Sequence, residues 1–176
     1  KGEELEYVET IEDWYKVSID GNEGYVSANP DYSVLEEALD TAITMTELRY
    51  GEGVSDVRVE LCEYALQFVG NPYVWGGTSL TKGADCSGFV LSVFKKFGVK
   101  LSHYSVAQSK EGKKISRDEL KAGDLIFYAD GSGTINHVAI YLGNGQVVHA
   151  SSPKTGIKVS KYNYRTPVKY VRVLED

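Results

Sequence analysis

HVAIYLGNGQVVHA, residues 137–150, is the stretch on which the reading of this chain turns. Two apolar runs flank Gly143-Asn144-Gly145, so the stretch reads as a β-hairpin. Side chains alternate faces along a strand, and parity therefore decides whether His137 and His149 can meet. A two-residue Asn144-Gly145 loop would pair Leu142 with Val147 and send the imidazoles to opposite faces. A three-residue loop, with Gly145 in the left-handed position of a bulge, pairs Leu142 with Gln146 and sets Ala139 opposite His149. The three-residue loop is the expectation. Both rings then share a face as diagonal neighbours, about 7 to 8 Å apart between backbones, and small Ala139 leaves room between them. Val138, Ile140 and Val148 turn to the other face and supply core.

Outward from this hairpin, further strands are predicted at Asp124 to Tyr128, near Ile157, and from Tyr170 to Leu174. Helices come earlier. Val57 to Val69 is amphipathic and is closed by Gly70 and Pro72. Cys86 to Phe97 carries Phe89, Val90, Val93, Phe94 and Phe97 on one stripe, with Gly98 as the stop. Helices first and an antiparallel sheet afterwards is the α+β signature. Nearer the start, LEYVE, WYKVSI and EGYVSA alternate apolar and polar residues between turn signals, which predicts three short strands within residues 1–30. From Ser33, a plausible N-cap, Leu35, Ala38, Leu39, Ala42 and Ile43 repeat at helical spacing and predict a helical linker over residues 31–55. A compact domain is expected over residues 56–176.

The 176 residues suffice for one ordinary domain plus an appendage, and 42% apolar content suffices for a core. The formal charge is −6 without a basic run, which argues against a nucleic-acid partner or an anionic membrane surface. No apolar stretch approaches the roughly 20 residues of a membrane span. The chain starts at Lys1 with neither an initiator Met nor a leader pattern, so its natural N-terminus is expected to be missing.

Two cysteines occur, and their contexts differ. Cys62 falls in an apolar helical pattern and reads as a small buried hydrophobe. Cys86, in Asp85-Cys86-Ser87-Gly88, sits where a Gly-rich loop meets the start of a helix. Unsatisfied N–H groups and the positive dipole end there favour thiolate, so Cys86 is the candidate nucleophile. Of three histidines, His137 and His149 share the hairpin and are the candidates for a base and its orienting partner. His103 reads as a rim residue, Asp124 as a cap or turn, and Trp14 as a packed core residue. A zinc site of Cys86, His137 and His149 has suitable ligand types but lacks a CxxC or HxxxH pair and an orienting carboxylate. No metal or cofactor is required.

PYVWGG, ADCSGFV, the GDLIFY strand, INHVAIYLGNG and VVHAS together resemble the NlpC-type family of papain-like cell-wall cysteine peptidases, over about residues 57 to 174. The resemblance implies a papain-like α+β fold and a Cys-His-His triad that cuts peptidoglycan stem peptides, commonly from γ-D-glutamate to the diamino acid. It assigns Cys86 as nucleophile, His137 as base, and His149 as the third member. It also places Tyr73 in the site wall against the reacting carbonyl, and Asp85, Ser87 and Ser105 at the substrate's amino end and D-glutamyl carboxylate. Where the family often carries an arginine shortly before that serine, this chain has Leu101-Ser102-His103-Tyr104. The first 30 residues resemble the later strands of a bacterial SH3 domain. Such an activity implies a secreted or wall-associated protein. A related amidase or acyltransferase, or a wall-binding module with an idle thiol, are the competing functions.

Overall fold

A computed structural model of the chain describes residues 5–19, 22–31, 33, 45–51 and 53–174. The chain divides into two units, residues 1–42 and 43–176. In the first, β1 (Glu6–Ile11), β2 (Trp14–Ile19) and β3 (Asn22–Ser27) form an antiparallel sheet in that order. These are the three strands the alternation predicted. So small a sheet buries little, and Val17 is its buried apolar side chain among the described residues. Trp14, expected in a core, is half exposed, because it starts β2 at the end of the ladder, across from Ile11 and Ser27. Most of the helix expected from Ser33 lies outside the described residues.

The second unit begins with α1 (Met45–Tyr50) and α2 (Asp56–Leu66), followed by a small ribbon, β4 (Thr78–Ser79) and β5 (Gly83–Ala84). Next come α3 (Cys86–Lys96), the short α4 (Ser105–Gln108), and strands β6 (Lys113–Ile115), β7 (Leu125–Ala129), β8 (Ile135–Gly143), β9 (Gln146–Ser152), β10 (Gly156–Lys161) and β11 (Pro167–Arg172). Strands β6 to β11 make one antiparallel sheet, ordered β10-β9-β8-β7-β11-β6. The fold is α+β. Helix α2 stops three residues earlier than its apolar pattern, because Phe68 and Val69 donate to carbonyls three residues back and tighten the chain into a turn.

One sheet face carries Leu125, Phe127, Val138, Ile140, Val148 and Ala150, which pack with Phe89, Val90, Val93 and Phe94 of α3 and Leu61, Cys62 and Ala65 of α2. The opposite face carries Ile126, Tyr128, Ala139 and Val147. The two faces are the parity signal made physical.

At the hairpin the loop and its closing pair differ from the expectation, Gln146 meeting Gly143 instead of Leu142, while the pairing beyond them does not. Gly143 pairs with Gln146, so the loop is the two-residue Asn144-Gly145, with φ of 47° and 73° at its central positions. This is the turn Asn-Gly favours. The odd residue sits in the strand instead: the register shifts between Tyr141 and Gly143, and Tyr141 pairs with Val147 and Ile140 with Val148. Parity is restored, and Ala139 and His149 are the next positions beyond the Ile140–Val148 pair. Gly143 is required where it stands, since a Cβ there would lie 2.7 Å from the Tyr50 carbonyl oxygen. Asn144 Nδ2 donates to the Leu48 and Arg49 carbonyls, which ties the hairpin tip to the end of α1.

A buried ion network lies at this same end of the sheet, where the Tyr141 N–H donates to the Asp124 carbonyl. Asp124, just before β7, accepts from Arg58 Nη1 at 3.0 Å, from Arg172 Nε at 2.9 Å and Nη2 at 2.7 Å, and from the Lys121 N–H at 2.9 Å. Arg58 also donates to the Ala122 and Leu174 carbonyls. Asp124 is therefore more than the cap or turn its sequence suggested: it is a fully buried carboxylate clamped by two guanidinium groups.

Candidate active site

Cys86 is the first residue of α3, and Asp85 is its N-cap, accepting from the Gly88 N–H at 2.7 Å. The same carboxylate takes three further donors: Gly76 N–H at 2.9 Å, Ser87 Oγ at 3.2 Å and His103 Nε2 at 2.9 Å. His103, read as a rim residue, is exposed as expected and also partners the cap. Gly88 has to be glycine, since a Cβ there would lie 2.0 Å from the Gly77 carbonyl oxygen. The Gly-rich loop is thus locked onto the first turn of α3. Gln108 of α4 seals the other side, donating to the Ser87 and Ser102 carbonyls.

The Cys86 sulfur lies against β8, where the Val138 N–H approaches it, next in sequence to His137. On this side the β8–β9 ladder ends at the Ile140–Val148 pair. Burial pushes the Cys86 thiol up and the Asp85 charge adds to it, while the N–H groups of Val138, Ser87 and Cys86 pull the other way. The position at a helix start suggested a stabilised thiolate. Desolvation outweighs it. Cys86 and Cys62 are both free thiols, and Cys62 is fully buried and pushed up to about 12 by desolvation.

Nε2 of His137 lies 2.8 Å from Nδ1 of His149, and the rings meet edge to face. Both imidazoles are buried, which drives His137 down to about 3 and His149 down to about 4. The neighbouring His149 and then Arg165 add to the first shift, and Lys158 adds to the second. Nε2 of His149 reaches Ser160 Oγ at 3.0 Å. Tyr164 stacks on His149, its hydroxyl 3.3 Å from Nδ1.

Tyr73 bridges to Ala84 and packs on the core beside Cys86; burial, then Cys86 and Asp85, raise its phenol. Ser87 and Ser105 are both buried, Ser105 at the start of α4. Trp75, in the loop between Tyr73 and Asp85, is 86% exposed.

Ser160 and Tyr164 had no part in the sequence reading. Ser160 was recoverable in principle, since Lys158 pairs with His149 and a residue two further along β10 shares that face. Tyr164 lies in the turn beyond β10, where no periodicity points at it.

The sequence pattern of the NlpC/P60 family matches residues 70–174. Over 91 residues the chain is 48% identical to a gamma-D-glutamyl-L-lysine dipeptidyl-peptidase of Bacillus subtilis, matching 51% of this chain and 30% of that protein. Over 109 residues it is 41% identical to a murein DD-endopeptidase MepS/murein LD-carboxypeptidase of Escherichia coli K12, matching 61% of this chain and 56% of that protein. The matches thus span well under two thirds of either relative's length. Among solved structures, the NlpC/p60 domain of the peptidoglycan hydrolase SagA superposes with a TM-score of 0.60 at 38% identity, covering 65% of this chain and 97% of that domain.

Proposed function

The chain belongs to the NlpC/P60 family, and on that premise we propose that it is a cell-wall cysteine peptidase cutting peptidoglycan stem peptides at the γ-D-glutamyl to diamino acid bond. Cys86 is the nucleophile, His137 the base and His149 its orienting partner. The observation that carries this reading is the 2.8 Å contact between the two buried imidazoles, the first of them on the strand whose Val138 N–H approaches the Cys86 sulfur.

With the thiol pushed up and the imidazole pushed down, the resting pair is neutral, so proton transfer accompanies attack. Nε2–H of His137 donates to Nδ1 of His149, leaving Nδ1 of His137 bare. That nitrogen takes the Cys86 proton as sulfur bonds to the carbonyl carbon. The oxyanion is held by the Cys86 N–H and the Tyr73 hydroxyl, which its raised pKa keeps protonated. The C–N bond breaks, and His137 passes the proton to the leaving amine. Water then attacks the thioester, gives His137 a proton that returns to sulfur, and releases the glutamyl carboxylate.

Asp85 Oδ2, with the Gly76 N–H as its bonded partner, faces the substrate's amino end, and Ser87 and Ser105 line the D-glutamyl carboxylate. Residues 1–30 serve as a partial SH3-like wall-facing module, 31–55 as its linker and 56–176 as the catalytic domain, acting outside the cell or in the wall. Among the described residues, no helix is long and apolar enough to cross a membrane.

The test is mass spectrometry of defined muropeptides after digestion. New γ-D-glutamyl carboxyl ends are the expected products. Cleavage between the muramyl group and alanine, with the stem intact, would replace this reading by an amidase.

A further inference from the structure

We propose that Tyr164 is a positioning residue of the histidine pair: its hydroxyl, donating to Nδ1 of His149, selects the tautomer that leaves His137 free to act as base. This rests on the roles proposed above for His137 and His149. Tyr164 follows β10 in a turn closed by its own N–H to the Lys161 carbonyl at 3.1 Å. Its ring is 4.9 Å from the His149 ring and 5.1 Å from Tyr128, and it stands edge-on to His137 at 6.4 Å. Its hydroxyl lies 3.3 Å from the same nitrogen that faces His137 Nε2 at 2.8 Å.

A neutral imidazole carries one proton, so the contact between the rings has two forms. In one, His137 Nε2–H donates to a bare Nδ1 of His149, and the proton on His149 Nε2 goes to Ser160 Oγ. His137 Nδ1 is then bare and can take the thiol proton. In the other, Nδ1–H of His149 donates to His137 Nε2, the remaining proton of His137 moves to Nδ1, and the base is lost. The Ser160 hydroxyl donates and accepts equally well, so it does not choose between them.

A phenol does choose, because its O–H is a stronger donor than its oxygen is an acceptor. Burial pushes Tyr164 up to about 12, so the hydroxyl keeps its proton through neutral pH. A donor aimed at Nδ1 stabilises the lone pair there and disfavours a proton. The selection is worth one ordinary hydrogen bond.

Tyr164→Phe removes the donor and keeps the ring. With the three histidines labelled in their ring nitrogens, 15N shifts of the resting protein should show His149 Nδ1 bare in the parent and partly protonated in Tyr164→Phe. Turnover of a defined muropeptide should fall about two- to tenfold in kcat with KM unchanged. Unchanged nitrogen shifts, or an unchanged kcat, in Tyr164→Phe overturn the proposal. So does a silent Tyr164→Phe beside an impaired Tyr164→Leu, which would assign the effect to ring packing. The shifts are read without turnover. If hydrolysis survives Cys86→Ala, the peptidase reading fails separately, and the shifts alone decide the role of Tyr164.

Discussion

Lowering the pH from 7.5 to 5 should destabilise the larger unit by about 4 kcal/mol through the two buried histidines alone. Each titrates near 6.5 in the unfolded chain, whereas in the folded protein His137 is held at about 3 and His149 at about 4, chiefly by burial. Between those values the unfolded state binds more protons than the folded one. Stability is therefore complete above about pH 6.5 and drains away as pH falls toward the folded values. At pH 5 the gap to the unfolded value is about 1.5 units, or about 2 kcal/mol per histidine, a large share of the about 5–15 kcal/mol of a typical domain. Urea unfolding followed by far-UV circular dichroism at several pH values reads the slope. His149→Asn isolates one contribution: His137, depressed first by burial, keeps its own, so the variant should lose about 2 kcal/mol over the same range. Equal acid sensitivity in parent and variant would refute the assignment of these imidazoles as buried and neutral.

Other outcomes follow from the same contacts. One equivalent of iodoacetamide should be taken up by the folded protein, at Cys86, with a rate still rising above pH 9; fully buried Cys62 should react after unfolding, as peptide mapping would show. Asp124→Asn leaves two arginines against a neutral amide and should cost about 3–5 kcal/mol, read as a fall in thermal midpoint of order 10 °C. Loss of less than about 1 kcal/mol would mean that the network is dispensable. Gly88→Ala forces a methyl group onto the Gly77 carbonyl and should abolish hydrolysis by displacing the loop that frames Cys86, with crystallography as the check.

Strand parity and helix periodicity made much of this protein legible. The stripe from Phe89 to Phe97 predicted α3 to within a residue, and the alternation around Ala139 separated the core face from the histidine face. The loop at Asn144 was misread because parity can be restored in two ways: an extra residue in the turn, or a bulge at Leu142, and local sequence does not separate them. Asn-Gly took its favoured two-residue turn and the strand absorbed the surplus. The Asp124 network was invisible because Arg58 and Arg172 come from opposite ends of the unit, and nothing local reports contact across such a separation. The Cys86 environment inverted for a similar reason. Its place at a helix start is a local fact, but the burial that governs its thiol comes with packing against a core whose residues lie far along the chain.

The most direct test of the account is the initial rate at which the purified chain releases the diamino acid end of a defined stem peptide, measured beside its Cys86→Ala variant. A rate that falls about a thousandfold or more in the variant, while the folded state keeps its circular dichroism and thermal midpoint, is the predicted result. A variant within about tenfold of the parent would contradict it, because bond breaking would then not pass through the sulfur at the head of α3.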